Sequence, residues 1–426
     1  MRLPCTAVEF TTSGDPADPR QIAAAVTSIG AVTDVLLVSH GWNNDMPRAQ
    51  RLIDELSDNV DTSLSGRFAG RSLAVVGLLW PSKQWGSDED DTAGGGLSAV
   101  DSTAELKGAI RAAVEDPAAA EALLKLADSL NESESAQAEF LSVLRGQLPL
   151  PEAVADDDAA PVTLRAGDTG AVFGAAGDAV VEAAVRPVTV PDNAGPPSAS
   201  PFDTLPDPLA GAGSGSTGLL DLIKKPVRAA TELLNVTTFY RMKERSGAVG
   251  SRGVVRLLEA IDAAPHDVRV HLAGHSFGAR VVAMAAATTT TPIASVSLLQ
   301  GAFSHRGLAV GGGFHRLMSG PQLRGPVIVT HTHNDRAVRL AYAVASRLAK
   351  QSSSGMGDAG DPYGGLGANG AVGTAEAVAG TLGDRNASYL FAARKVHNLK
   401  ADKFVANHSD VTNPAVANAV ATAVAG

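Results

Sequence analysis

Cysteine, aromatic residues and long apolar runs are all scarce in this chain. Its one cysteine, Cys5, excludes an internal disulfide framework and any zinc or iron–sulfur site built from several cysteines. Aromatic residues make up 4% of the 426 positions, which leaves few rings on which single-stranded bases could stack. The longest uncharged stretch lies between Arg280 and His305 and contains Pro292 and four consecutive threonines. We therefore expect no membrane span.

Positive charge is also in deficit. Lys and Arg number 35 against 45 Asp and Glu, so the net charge is −10, which argues against a nucleic-acid-binding surface.

The N-terminal residues MRLPCTAVEFTTSGD contain no apolar h-region of a secretory signal. We therefore expect a cytoplasmic location, with secretion by a signal-less route as the alternative. Hydrophobic residues make up 45% of the chain, enough for a sizeable core.

What the chain does have is an alternation of short apolar runs and amphipathic stretches. Runs of β-branched and aliphatic residues predict buried strands, and apolar residues at helical spacing predict helices between them. Such alternation is typical of an α/β fold whose mostly parallel sheet is covered by helices on both faces. The predicted strands are 33–39, 73–80, 268–273, 295–300, 326–331 and a final one around 388–396, and the predicted helices include 47–60, 252–263, 278–288 and 413–425.

The alternation breaks in the middle of the chain. Apolar stripes there predict three short helices, and a following stretch rich in Pro, Gly and Ala, 149–217, is predicted to be loosely ordered around one further helix near 171–186. The predicted parts are 1–85 and 219–426 for the core and 86–218 for an insertion. The predicted buried stripes are Leu106, Ile110 and Val114; Leu123, Leu126 and Leu130; Phe140, Leu144 and Leu148; and, in a helix over 219–245, Leu220, Ile223, Val227, Leu234 and Tyr240.

The strongest chemical signal is the pentapeptide Gly274-His275-Ser276-Phe277-Gly278. It matches G-x-S-x-G and lies between a predicted strand and a predicted helix, which is the context that a nucleophile elbow requires. The two glycines let strand and helix approach closely, so the serine hydroxyl projects above the carboxyl edge of the sheet. We therefore predict Ser276 as a catalytic nucleophile.

A second turn, His40-Gly41-Trp42, follows the first clear strand. The negative charge that develops on a carbonyl oxygen during acyl transfer needs two preorganised donors. The backbone N–H of Phe277, at a helix N-terminus, can be one of them, and the N–H of Trp42 can be the other. Trp42 and Phe277 are thus the predicted oxyanion hole. The residues predicted to support the two turns are His40, Gly41, Gly274, His275 and Gly278.

With these motifs the chain resembles the α/β-hydrolase superfamily and, more narrowly, bacterial serine esterases and lipases. The resemblance covers roughly 31–85 and 240–425. It implies a serine nucleophile, an acyl-enzyme intermediate and a Ser…Asp…His order along the chain. The matching pieces are HGW at 40–42, WPS at 80–82, GHSFGAR at 274–280, HNDRAV at 333–338 and NHSD at 407–410.

The implied order selects the other two members of a triad. Asp335 lies just past the predicted strand PVIVTH, and His408 lies in a loop before the C-terminal helix. His408 would take the proton of Ser276, and Asp335 would orient the imidazole. Two rivals stay open at this point, Asp384 as the acid and His397 as the base.

A competing hypothesis starts from the residues around Asp335. His331, His333 and Asp335 form an H-x-H-x-D pattern that resembles the zinc motif of metallo-β-lactamase-like hydrolases. That motif continues with another histidine, whereas this chain has Arg336, and the motif usually comes earlier in a chain. We therefore predict no metal and no other cofactor, and keep a zinc-dependent hydrolase as an alternative.

The hydrolase interpretation predicts a small-molecule or lipid ester as the substrate. Trp42, Trp80 and Trp85 lie near expected strand ends, where they could contact an acyl chain. The apolar stripes of the 86–218 insertion need an apolar partner, so we expect the insertion to cap the site or to bind a protein partner. A non-catalytic binding protein with the α/β-hydrolase fold is the remaining alternative.

Overall fold

The structure is a computed structural model that describes most of the core and part of the insertion. The described residues are 3, 5–30, 32–42, 44–82, 102–149, 172–173, 226–265, 267–335, 337–338 and 364–426. Trp85, the stripe positions Leu220 and Ile223, and nearly all of the helix predicted near 171–186 lie outside these residues.

Eight parallel strands form one sheet in the described part of the chain. The strands are β1 (Cys5–Glu9), β2 (Asp34–Ser39), β3 (Leu73–Leu79), β4 (Arg269–His275), β5 (Ile293–Leu299), β6 (Val327–His331), β7 (Ala377–Thr381) and β8 (Val396–Lys400). Their order in the sheet is β1-β3-β2-β4-β5-β6-β8-β7. The expected α/β class with a central, largely parallel sheet is therefore confirmed. Because all neighbours are parallel, every strand ends at the same edge of the sheet.

Helices cover both faces of this sheet. The helices are α1 (Pro19–Ser28), α2 (Met46–Leu64), α3 (Thr103–Ala113), α4 (Pro117–Leu126), α5 (Glu134–Gly146), α6 (Pro226–Ala248), α7 (Val255–Asp262), α8 (Phe277–Thr288), α9 (His315–Ser319), α10 (Leu366–Asn369) and α11 (Pro414–Ala425), with a π-helical segment (Val249–Val254) between α6 and α7. Leu37 of β2 belongs to one buried cluster with α1 and α6–α8, and its neighbour Leu36 belongs to a second cluster with α2 and α11. This alternation explains why the central strands are apolar throughout rather than at every second residue.

The strand predicted around 388–396 is wrong in position. Leu390 is 99% exposed, and Arg394 adopts a left-handed φ of 58°, which interrupts an extended chain. The strand there is β8, which begins at Val396. The edge strands β1 and β7 were not predicted, because they are short and only partly buried and so lack an apolar run.

The described part of the insertion packs onto the core through α6. The predicted stripes of α3 to α5 are largely buried in the same apolar cluster as the sheet, together with Val227, Leu234 and Tyr240 of α6. Glu115, between α3 and α4, pairs with Arg241 and Arg245 at 2.7 Å each. Arg245 also donates a hydrogen bond of 2.6 Å to the carbonyl oxygen of Pro81, just after β3. Among the described residues, no helix is long and apolar enough to cross a membrane.

Candidate active site

Ser276 occupies a strained turn between β4 and α8. Its φ of 57° and ψ of −124° are unusual for a residue with a side chain, and such strain persists only where the surroundings impose it. Neither of the two flanking glycines could carry a side chain without a close contact. A Cβ on Gly274 would lie 2.2 Å from the carbonyl oxygen of Gly278, and one on Gly278 would lie 2.4 Å from that of His40. The predicted elbow geometry is therefore present at Ser276.

The three predicted triad residues meet above the carboxyl edge of the sheet. Nε2 of His408 lies 2.8 Å from Oγ of Ser276, and Nδ1 of His408 lies 2.9 Å from Oδ2 of Asp335. Asp335 is fully buried, and its second oxygen accepts the backbone N–H of Val338 at 2.9 Å. Because a carboxylate can only accept, Nδ1 of His408 carries the proton, and Nε2 is left to accept the serine hydroxyl. This is the arrangement in which an imidazole can act as a general base towards serine.

The His40-Gly41-Trp42 turn lies directly against the elbow. Nε2 of His40 accepts the backbone N–H of Trp80 at 3.1 Å, so Nδ1 carries the proton and donates to the carbonyl oxygen of Gly41 at 2.9 Å. Burial lowers the pKa of His40 to about 4, which keeps the ring neutral at pH 7. Nδ2 of Asn44 donates to the same Gly41 oxygen at 3.1 Å.

These two hydrogen bonds fix the orientation of the peptide between Gly41 and Trp42. In a trans peptide the C=O and N–H point in opposite directions, so holding the Gly41 oxygen also aims the Trp42 N–H. Phe277 is the first residue of α8, and its N–H has no acceptor within the helix. Both predicted oxyanion donors are therefore on turns whose geometry is fixed by their surroundings. The role of Asn44 was missed, because no motif marks its position.

Replacing Gly41 by Ala tests how tightly this turn is fitted. The new Cβ would lie 2.8 Å from Cβ of Ser276 and 2.9 Å from Nδ1 of His275, so the turn must move away from the elbow. For the ester hydrolysis that the sequence predicts, we expect Gly41→Ala to lower kcat/KM by about 10²-fold, because a displacement near 1 Å can cost that much. The control is Gly108→Ala in α3, where the new Cβ meets nothing within 4 Å. Equal activity of both variants would contradict the assigned role of the turn.

His275 lies between the elbow and the loop that carries His408. Its Nε2 lies 2.9 Å from the backbone carbonyl oxygen of His408, and the two imidazole rings are 4.8 Å apart. Its Nδ1 is buried and has no hydrogen-bond partner among the described residues. Burial, followed by the neighbouring His408, holds the pKa of His275 well below its usual range.

An apolar wall of aromatic rings adjoins Ser276. The ring of Phe277 contacts Trp42 edge-on at 6.0 Å and Phe239 of α6 at 5.2 Å between centroids. Trp80 is fully buried and stacks on His40, so it supports the turn instead of facing a substrate. Sequence reasoning missed Phe239, because nothing in the pattern of α6 shows which core residue it meets.

The rival triad members lie in other environments. Asp384 is exposed, and its carboxylate accepts the N–H of Asn386 at 2.8 Å. His397 is the second residue of β8, and its Nε2 lies 2.9 Å from the backbone nitrogen of Ala392. Neither side chain is seen to contact Ser276 or His408. The structure thus brings together Asp335 and His408, and not their rivals.

The residues of the zinc hypothesis also have separate partners. Nδ1 of His333 lies 3.4 Å from Asp402 on an exposed surface, whereas Asp335 faces His408. Burial lowers the pKa of His331 to about 4. In the described ranges, no three His, Cys, Asp or Glu side chains are grouped as metal ligands would be.

A second Ser–His–Asp set lies inside the sheet. Nε2 of His271 is 3.1 Å from Asp34, and its Nδ1 is 2.7 Å from Oγ of Ser295. Burial raises the pKa of Asp34, but hydrogen bonds from His271 and Arg71 outweigh it and hold that pKa well below its usual range. This Ser295 set lies in the first halves of β2, β4 and β5, away from their carboxyl ends. Ser295 lies within β5, beside a register shift in the β4–β5 pairing, and not on a turn between a strand and a helix. We interpret this set as a structural network, and substitution of Ser295 is therefore a control for substitution of Ser276.

Comparisons of the chain with protein-family models, with curated proteins and with solved structures find no match. The resemblance to α/β-hydrolases therefore rests on the short motifs at 40–42, 80–82, 274–280, 333–338 and 407–410. The functional interpretation depends on the geometry that these motifs adopt.

Proposed function

We propose that this protein is a serine hydrolase of the α/β-hydrolase type that cleaves a carboxylic ester through an acyl-enzyme intermediate. The observation that carries the proposal is the continuous hydrogen-bonded series from Ser276 through His408 to Asp335, with its serine on a strained elbow. A non-catalytic protein of this type commonly lacks one of the three residues, whereas all three are in contact here. A serine is a weak nucleophile unless such a base activates it.

The proposed reaction has two half-reactions. Oγ of Ser276 attacks the ester carbonyl carbon while its proton passes to Nε2 of His408, and the N–H groups of Trp42 and Phe277 stabilise the resulting oxyanion. The carbon–oxygen bond to the alcohol then breaks, and His408 returns the proton to the departing alkoxide. In the second half-reaction, water attacks the carbonyl carbon of the acyl-enzyme while its proton passes to Nε2 of His408. The bond to Oγ of Ser276 then breaks, His408 returns the proton to Oγ, and the acid is released. Asp335 stabilises the imidazolium in both halves.

The apolar wall next to the elbow supports a hydrophobic acyl ester as the substrate class. Trp42 and Phe239 are 8% and 6% exposed, so both are nearly covered, and Phe239 belongs to the helix on which the insertion packs. We accordingly propose that α3 to α6 cap the site. A cytoplasmic location is part of the same proposal.

Hydrolysis of p-nitrophenyl esters of increasing chain length tests the function. We expect a burst of nitrophenol equal to the enzyme concentration, followed by slower turnover, and an acyl adduct on the intact protein by mass spectrometry. EDTA should change neither the burst nor the turnover. Turnover that EDTA abolishes and zinc restores would reject the serine mechanism in favour of the zinc alternative.

A further inference from the structure

His275 is in contact with three parts of the site that lie on different segments of the chain. It precedes Ser276 directly, and its Nε2 reaches the carbonyl oxygen of His408 at 2.9 Å. On its other side, a Cβ at Gly41 would lie 2.9 Å from its Nδ1. One ring therefore lies between the elbow, the His40-Gly41-Trp42 turn and the loop that carries His408.

The hydrogen bond of His275 determines its protonation. A carbonyl oxygen only accepts, so Nε2 of His275 must carry the proton and donate it to His408. The ring is 4% exposed, and its Nδ1 has no hydrogen-bond partner in the part of the chain that the structure describes. A second proton would therefore be buried against Gly41 without an acceptor. The titratable groups that act on His275 are His408 and His40, neither of them an anion.

We propose that His275 is a positioning residue that holds the His408 loop in register with Ser276 by donating its Nε2–H to the His408 carbonyl oxygen. The inference rests on the proposed function. The ring acts in its neutral form, which adds no positive charge 4.8 Å from the imidazolium that His408 becomes during attack. Without this donor, the side chains of Ser276, His408 and Asp335 are still present, but their relative positions should change.

The test is a pair of variants of equal length, His275→Gln and His275→Met. Nε2 of glutamine is as many bonds from the backbone as Nε2 of histidine, whereas methionine has the same reach and no donor. Asparagine, in His275→Asn, keeps an amide at the shorter reach of Nδ1. The readout is the second-order rate at which a fluorophosphonate labels Ser276, which requires no knowledge of the substrate. Thermal unfolding of each variant shows whether it is folded.

We expect His275→Met and His275→Asn to slow labelling by about 10²-fold, as displacement of a catalytic group can. His275→Gln should keep most of the labelling rate of the unmodified protein. The acidic limb of the pH–rate profile should be the same in His275→Gln as in the unmodified protein, because neither carries a charge at this position. Equal rates for folded Gln and Met variants, or a displaced limb in the Gln variant, would overturn the positioning role alone. Absence of labelling in the unmodified protein would overturn the proposed function and, with it, this inference.

Discussion

Ser276→Ala should abolish ester turnover, with a loss of roughly 10⁶-fold in kcat if the triad acts as one unit. Alanine lacks the hydroxyl that lies 2.8 Å from Nε2 of His408, so no acyl-enzyme can form. The elbow itself should persist, because alanine meets the same backbone constraint as serine at φ 57°. Turnover of the purified variant, measured on the ester that the unmodified protein cleaves fastest, checks this expectation.

Ser295→Ala is the matched control. It removes a serine hydroxyl that also contacts a histidine, His271, which in turn contacts an aspartate, Asp34. Because Ser295 lies within β5 and away from the strand ends, we expect its variant to keep full turnover. Its cost should be in stability, about 1–3 kcal/mol for leaving Nδ1 of His271 buried without a partner. A loss of turnover in Ser295→Ala with retention in Ser276→Ala would reverse the assignment.

Asp335→Asn should keep the fold and lower kcat on the order of 10⁴-fold. The amide is nearly the same size as the carboxylate and can still accept the Val338 N–H. It cannot, however, favour the His408 tautomer that leaves Nε2 free to accept the serine proton, and it cannot stabilise the imidazolium. Single-turnover acylation rates, measured on both proteins, isolate the affected step.

The corresponding control is Asp384→Asn. Asp384 is exposed and accepts a turn N–H that an amide oxygen can also accept, so we expect no more than a small change in kcat. If Asp384→Asn were the more damaging of the two substitutions, Asp335 would not be the acid of the triad.

The elbow at Ser276 and the contact of Ser276, His408 and Asp335 could be predicted, because they depend on contiguous sequence and on the order of the loops along the chain. The elbow at Ser276 needs glycines on both sides and a strand and a helix around them, and all of these are contiguous in the sequence. Asp335 and His408 could be named from chain order, since parallel strands bring successive loops to one edge. The buried central strands could also be predicted, because each is an apolar run in the sequence, as β2 is.

The contacts of Asn44 and Phe239 could not be predicted, because they depend on tertiary packing. Asn44 matters through the Gly41 oxygen, and Phe239 through its contact with the ring of Phe277, more than thirty positions away along the chain. No periodicity encodes either contact. The misplaced strand at 388–396 has a similar origin, because the left-handed turn at Arg394 is not marked by a glycine.

Labelling with a fluorophosphonate, followed by peptide mapping, tests whether Ser276 is the activated nucleophile. Trypsin should release residues 270–280 as one peptide, because Arg269 and Arg280 bound it, and Ser276 is its single serine. We expect a stoichiometric adduct on this peptide, unchanged by EDTA and absent from Ser276→Ala. An unlabelled peptide in active protein, or an adduct on the peptide that contains Ser295, would contradict it.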